Sequence, residues 1–408
     1  MAPTDARTSV ADSKVSGGNW LAVGSYAAVG AVTQLLWLTY APVTTSAAAF
    51  YSVGEGYIGV LSIIFPLVYV VLALPCGLLL DRWFRPVLIV GGLLTAAGAL
   101  LRVVDTTSIT WATVGQVVIA IGQPFVLGAI TKVCVDYLPR RSRPTGIAVG
   151  TAGLFVGMLI AFVTGALLED NISELLMLQA ALAVVAVLAM CIVLIRPGRF
   201  ADEIEVAAGV SVDSTRRHPL RTVWSDPPLR LLIAIVAVGF GVFVALTTWL
   251  QALLEPAGVT ATTSAVILLV MVVAGIFGAA LLPPIAARRG NQVTFMFIAL
   301  GAAIIGCLAL AIAPSAVTGY VVAGALGFLL LSVLPIVLEM VEARAGAAVS
   351  TATSAVWLAG NAGGVLVSGL IGVFLGMPAI GFALMALVPL VFGLPLVVRL
   401  RRTIRTSA

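Results

Sequence analysis

A chain of 408 residues in which 61% are apolar and only 10% charged lies far from soluble domains, where charged residues make up about 25%. It is an integral membrane protein. The net charge of +5 does not indicate nucleic acid, because the basic residues are spread over many short loops rather than gathered on one face.

The chain opens with a polar tail, residues 1–19, that lacks the basic start and small-residue cleavage site of a signal peptide. Six apolar runs follow, about Trp20 to Ser46, Gly56 to Leu80, Pro86 to Val104, Thr110 to Asp136, Pro144 to Leu168 and Ser173 to Ile195. Each is long enough to cross the hydrocarbon as a helix. A polar linker, residues 196–228, separates this half (20–195) from a second (229–399), and a short surface helix is expected at about Asp202 to Ala208. The second half holds runs at about Leu229 to Leu254, Ala261 to Ala287, Thr294 to Ala313, Val317 to Val341, Gly346 to Leu375 and Pro378 to Arg399, before a basic tail, 400–408. The reading is an all-α membrane protein of twelve transmembrane helices, six plus six.

Lys and Arg sort by loop parity. Even loops carry Arg82 and Arg85, then Arg140, Arg141 and Arg143, the linker arginines, Arg288 and Arg289, and Arg344; the C-terminal tail carries Arg399, Arg401, Arg402 and Arg405. Odd loops carry acids such as Glu55, Asp105, Glu169 and Glu255, and only Arg102 breaks the bias. Both termini are therefore expected in the cytoplasm, with the chain multi-pass in a bacterial inner (plasma) membrane. The four cysteines, Cys76, Cys134, Cys191 and Cys307, sit inside apolar runs without metal-ligand spacing, and His218 is the single histidine. No disulfide framework, metal site, cofactor or enzymatic centre is indicated.

A charge at bilayer depth costs on the order of 3 kcal/mol on insertion scales, and none falls near the midplane of any run. Lys132, Asp136, Glu339 and Glu342 lie within two turns of the expected cytoplasmic ends. A proton-coupled carrier generally needs a titratable group midway, so facilitation, or coupling to something other than protons, is the favoured expectation.

The turn after the second run reads Gly77-Leu-Leu-Leu-Asp81-Arg82-Trp-Phe-Arg85. It resembles the loop between the second and third helices of the major facilitator superfamily, with Phe84 where that family usually has Gly. The resemblance implies two pseudo-symmetric six-helix halves that alternate access, with Gly77, Asp81, Arg82 and Arg85 as a cytoplasmic latch; a solvated membrane anchor is the plainer reading. A second copy, Ala287-Arg288-Arg289-Gly290, lies 206 positions on and has lost the acid. The superfamily's helix-five antiporter run is met only by Gly146, Gly150, Gly153 and Gly157, without its Pro, so these glycines read as close packing.

Polar and aromatic residues must then supply recognition. Gln34, Trp37, Tyr40, Gln123, Thr248, Trp357 and Asn361 lie on helices one, four, seven and eleven, which line the cavity in that superfamily; each could equally serve a helix-to-helix hydrogen bond. Leu36 to Tyr40 with Phe50-Tyr51, Gly115-Gln116 with Gln123 to Gly128, and Leu334 to Glu339 look like stretches of the feline leukaemia virus subgroup C receptor-related transporters. That branch is associated with choline and ethanolamine uptake and haem export. Carried over, its helix-one tryptophan is Trp37 and its helix-eleven glutamine is replaced by Asn361, while its helix-five glutamine and helix-seven tyrosine become Ala152 and Val244. The expected function is transport of a small polar or cationic, choline-like metabolite by a monomer in the bilayer; a multidrug or lipophile exporter of the same fold is the alternative.

Overall fold

The computed structural model describes residues 18–198, 200 and 219–407, and no described residue lies in a strand. The first half comprises α1 Trp20–Trp37, the short α2 Thr44–Tyr51, α3 Glu55–Arg82, α4 Phe84–Val104, α5 Ile109–Leu127, α6 Ile130–Tyr137, α7 Arg143–Leu167 and α8 Ile172–Leu194. A seven-residue helix, α9 Pro219–Ser225, leads to the second half: α10 Pro227–Leu254, α11 Ala261–Arg289, α12 Gln292–Ile312, α13 Ala316–Leu330, α14 Val333–Ala345, α15 Val349–Gly372, α16 Pro378–Val388 and α17 Leu394–Ser407. The expected surface helix at Asp202 to Ala208 and the polar tail before Gly18 fall outside the described residues.

Eleven apolar spans are long enough to cross a membrane, one of them the 57 residues of Ala316–Gly372. As one straight helix that span would reach about 86 Å, against a hydrocarbon core of about 30 Å. It reverses instead at Gly346, whose φ of +53° is open to glycine without a Cβ penalty, and crosses twice. The described chain therefore makes twelve crossings, six in each half.

The fourth crossing of each half is built from two helices, α5 with α6 and α13 with α14. Pro124 lies in the last turn of α5, and Pro335 in the first turn of α14, where it has no N–H to continue the ladder back into α13. The twelfth crossing carries one π turn at Pro389–Gly393 and then runs on as α17 to Ser407. What the sequence suggested as a free tail after Arg399 is thus helical as far as it is described.

Small residues set the closest approaches. A Cβ on Gly157 of α7 would strike the carbonyl of Ala31 in α1, and a Cβ on Gly363 of α15 would strike that of Ala237 in α10. Both residues of the second pair lie 206 positions after those of the first, the spacing that relates Asp81 to Ala287. The same repeat thus governs the packing of helix one on five and of seven on eleven.

Substituting Ala for Gly157 or Gly363 is expected to destabilise the bundle by about 1–3 kcal/mol, as overpacking does, while Gly24→Ala, which meets open space, changes little. Thermal unfolding in one detergent, run on all three variants, checks this.

Candidate functional site

Between the halves lies a cavity of about 360 Å³, near the small end of the roughly 300–1,000 Å³ range of ligand pockets. Six of the seven residues singled out for binding line it: Gln34 and Trp37 from α1, Gln123 from α5, Thr248 from α10, and Trp357 and Asn361 from α15. No charged side chain does. Trp37 tilts against Phe65 of α3 at 6.4 Å between ring centres, and Trp357 meets Phe240 of α10 edge-on at 6.2 Å. Phe65, Phe240 and Phe243 are wall residues that the sequence reading did not single out; phenylalanine in a run of Val, Leu and Ala carries no polar signal that would mark it. Two donors in the wall, Gln123 Nε2 and Trp357 Nε1, are buried and have no hydrogen-bond partner. Asn361 Nδ2 donates to its own helix at Trp357 O (2.9 Å) and Thr248 Oγ1 to Val244 O (2.7 Å).

Tyr40 is the exception. It is fully buried in a separate cluster with Val43 and Leu61, its hydroxyl 3.2 Å from that of Tyr51. The reason is that α1 stops at Trp37 and the chain turns inward over the next three residues. Arg102 fixes that turn. Wholly buried near the end of α4, it donates to Thr39 Oγ1 (2.9 Å), Gln116 Oε1 (3.2 Å) and Gln179 Oε1 (3.3 Å). Gln116 Nε2 in turn donates to Leu36 O (3.2 Å), one of the unpaired carbonyls at the end of α1. Among the described residues no carboxylate pairs with Arg102; three neutral oxygens and the negative end of α1 accommodate the charge. Arg102 broke the loop bias because it is a bolt inside the bundle. Gln116, an amide of the fourth run, belongs to this bolt and not to the cavity.

At the end carrying the basic turns the cavity is closed. Asp81 lies in the last turn of α3, since that helix runs through Arg82 and a single residue, Trp83, separates it from α4. The carboxylate accepts from the backbone N–H of Ser350 (2.7 Å) and Thr351 (2.9 Å), the N2 and N3 donors of α15, a helix whose own cap residue Ala348 supplies no side-chain bond. A group of one half thus caps a helix of the other. Gly77, one turn earlier, admits the close approach: a Cβ there would sit 2.8 Å from Thr351 Cα and 2.9 Å from Ser354 Cβ. The counterpart positions, again 206 apart, are Ala287 and Pro144. One has no carboxylate and the other no N–H, so the repeat carries this cap on one side only.

Further contacts between the halves crowd the same end. Arg143 Nη1 pairs with Glu342 Oε1 at 2.7 Å, and the hydroxyls of Thr131 and Thr353 meet. Arg82 and Arg85, expected in the latch, are not part of this cap: Arg82 stacks on Trp83 at 4.5 Å from the ring. Of the four end-lying charges, Lys132 pairs with Asp136 (3.2 Å) and Gln292 donates to Glu339 (3.3 Å). The Arg143–Glu342 pair and the backbone partners of Asp81 were out of reach of the sequence, because they depend on how the halves meet.

A pseudo-symmetric bundle of twelve crossings around a central cavity sealed at one end is the architecture of a membrane transporter. The chain belongs to the Major Facilitator Superfamily, whose sequence pattern matches residues 21–367. It is 26% identical over 305 residues to solute carrier family 49 member A3 of Danio rerio, covering 72% of this chain and 64% of that protein. With the human choline/ethanolamine transporter FLVCR2 it shares 25% identity over 164 residues, 40% of this chain and 31% of that one. The chain thus spans about three-fifths of the length of the first curated relatives it matches. The crystal structure of the human organic anion transporter MFSD10 (TETRAN) superposes with a TM-score of 0.73 at 15% identity, over 92% of this chain and 98% of that one. By family and fold it is a multi-pass membrane protein of that superfamily.

Two outcomes are expected. Arg102→Met removes three hydrogen bonds to a charged donor, each worth about 1.5–3 kcal/mol; it should lower the unfolding midpoint by several degrees and shift tryptophan emission as Trp37 loses its fixed turn. Asp81→Asn should loosen the basic end, read as a broadened, longer distance distribution between spin labels at exposed positions 83 and 344; an unchanged distribution would show that the cap does not hold the halves.

Proposed function

We propose that the protein moves a small organic cation bearing a hydroxyl or carbonyl oxygen, choline-like in chemistry, by alternating access of its two halves. The observation that carries this reading is the cavity itself: compact, uncharged, walled by Trp37, Phe65, Phe240 and Trp357, with two unpartnered donors in the wall. An ammonium group over indole and phenyl faces is held by cation-π attraction of about 2 kcal/mol when desolvated. Gln123 Nε2 and Trp357 Nε1 supply donors for the ligand's oxygen, which relieves the cost of leaving them unpaired. The curated likeness to a choline/ethanolamine transporter supports the same class, although Ala152 and Val244 replace two of that branch's site residues.

On this reading the basic end faces the cytoplasm, and the Asp81 cap, with the Arg143–Glu342 pair, holds the state open to the outside. Rocking of the halves breaks these contacts and exposes the cavity inward. Among the described residues no titratable side chain lines the cavity, so movement is not coupled to protons and follows the solute's own gradient or that of another ion. A second reading, export of a lipophilic compound, draws on the apolar share of the wall, including Leu154, Met158, Leu268 and Val272.

The test is thermal stabilisation of the detergent-purified protein by choline, ethanolamine, betaine and common lipophilic drugs, repeated with Trp37→Ala and Trp357→Ala. A shift with a small ammonium compound, weakened about 30-fold in each variant as about 2 kcal/mol implies, supports the proposal. Shifts with bulky lipophiles alone, insensitive to Trp37, would replace it with the exporter reading. In proteoliposomes, uptake of the stabilising solute is expected to stay flat between about pH 6 and 8 and to ignore an imposed pH gradient; uphill accumulation driven by that gradient would overturn facilitation.

A further inference from the structure

The cluster Arg399, Arg401, Arg402 and Arg405 has no part in the cavity or its closure. It rides on α17, which carries the twelfth crossing past the apolar zone to Ser407. Beside it, between α17 and the first turns of α12, runs a groove of about 340 Å³.

The groove has two chemically distinct parts. Toward the hydrocarbon it is walled by Phe297 and Ile298 of α12 and by Val397 and Val398 of α17. Phe297 is 45% and Ile298 49% exposed, so no other helix covers this part and it faces lipid. Toward the membrane surface the wall is Arg401, Arg402 and Arg405, which follow Val397 and Val398 at the three- and four-residue spacings that keep side chains on one helical face. Among the described residues no acidic one lines the groove. Among the described residues neither Arg401 nor Arg405 has a carboxylate partner. Thr294, in the first turn of α12, completes the polar part, with Val293 beside it, and Asn291 at that helix start makes no side-chain cap bond. The unpaired N–H groups of a 21-residue helix therefore add to the arginines' field.

A ligand matched to both parts carries an anionic, oxygen-rich group joined directly to hydrocarbon. A free anion leaves the lipid-facing wall without a role, and a zwitterionic lipid presents its own cation to the arginines. We propose that this groove is a binding site for an anionic glycerophospholipid, its phosphodiester held by Arg401 and Arg405, whose guanidinium forks match phosphate oxygens, and its acyl chains laid along Phe297, Ile298 and Val398. The site holds α17 at the membrane surface at the basic end, where such clusters attract anionic headgroups. It is independent of the transported solute.

The experiment is native mass spectrometry of the full chain in detergent, titrated with phosphatidylglycerol, with phosphatidylcholine of the same acyl chains, and with inorganic phosphate. The expected result is retention of phosphatidylglycerol at least tenfold tighter than of phosphatidylcholine, no retained phosphate, and weakening as salt is raised. Arg401→Gln with Arg405→Gln abolishes the preference, whereas the corresponding pair of Lys variants and Arg141→Gln, an exposed arginine on the other half, keep most of it. Equal binding of the two lipids, or a preference insensitive to salt, would overturn the proposal on the unaltered protein alone, whatever the stability of the variants. Phosphate retained as tightly as the lipid would reassign the groove to a free anion, and a preference that survives the Gln pair would place the site elsewhere.

Discussion

Hydrocarbon offers no partner to a polar group, and in this bundle that constraint decides where each one goes. Arg102 is the extreme case: a guanidinium wholly inside the first half, without a counter-ion among the described residues, its two terminal nitrogens held by Thr39, Gln116 and Gln179. Because those three oxygens come from the turn after α1 and from two further helices, meeting the needs of one charge locks four segments together. The turn so fixed ends α1 at Trp37 and sends Tyr40 away from the cavity. A membrane protein spends many of its polar residues as joints, and Gln123 Nε2 and Trp357 Nε1 are among the buried groups left without a partner.

On the proposed reading, the cavity reverses the usual electrostatics of cation recognition. It offers no carboxylate, only ring faces and neutral dipoles. A fixed negative charge in a low-dielectric site would bind a cation tightly but would be left without its counter-ion each time the site emptied. Aromatic walls bind more weakly and cost little when empty, which suits a carrier that must release what it takes up.

Much of the architecture was legible in the sequence because hydropathy, Lys and Arg parity and the 206-residue repeat are properties of the chain alone. Twelve crossings, and the six of seven singled-out residues that line the cavity, follow from counting runs and placing polar residues on helices one, four, seven and eleven. Tyr40 misled because a helix extrapolated to Ser46 in fact ends at Trp37, and what ends it is a tertiary bolt. Asp81 was recognised from its motif, but its partners are backbone N–H groups, which every residue except proline has, so no side chain announces them. Arg82 and Arg85 drew attention for the same motif, yet Arg82 spends its charge on Trp83 beside it. Phe65 and Phe240 stayed hidden in apolar runs, where a phenyl ring that faces solute cannot be told from one that faces lipid.

The Asp81 cap reads α15 through its main chain. Ser350 and Thr351 are themselves fully buried, so their size is constrained by packing, but the two N–H groups that Asp81 reads are supplied by any residue that fits there except proline, while Asp81 itself tolerates little. Information about closure is concentrated on one half and is nearly silent on the other. On the proposed reading, drift in the second half can retune solute preference at Trp357 or Asn361, about two and three turns away on the same helix, without resetting the balance between the two states. In the proposed mechanism selectivity and gating share α15 yet answer to different chemical alphabets, side chain for one and backbone for the other.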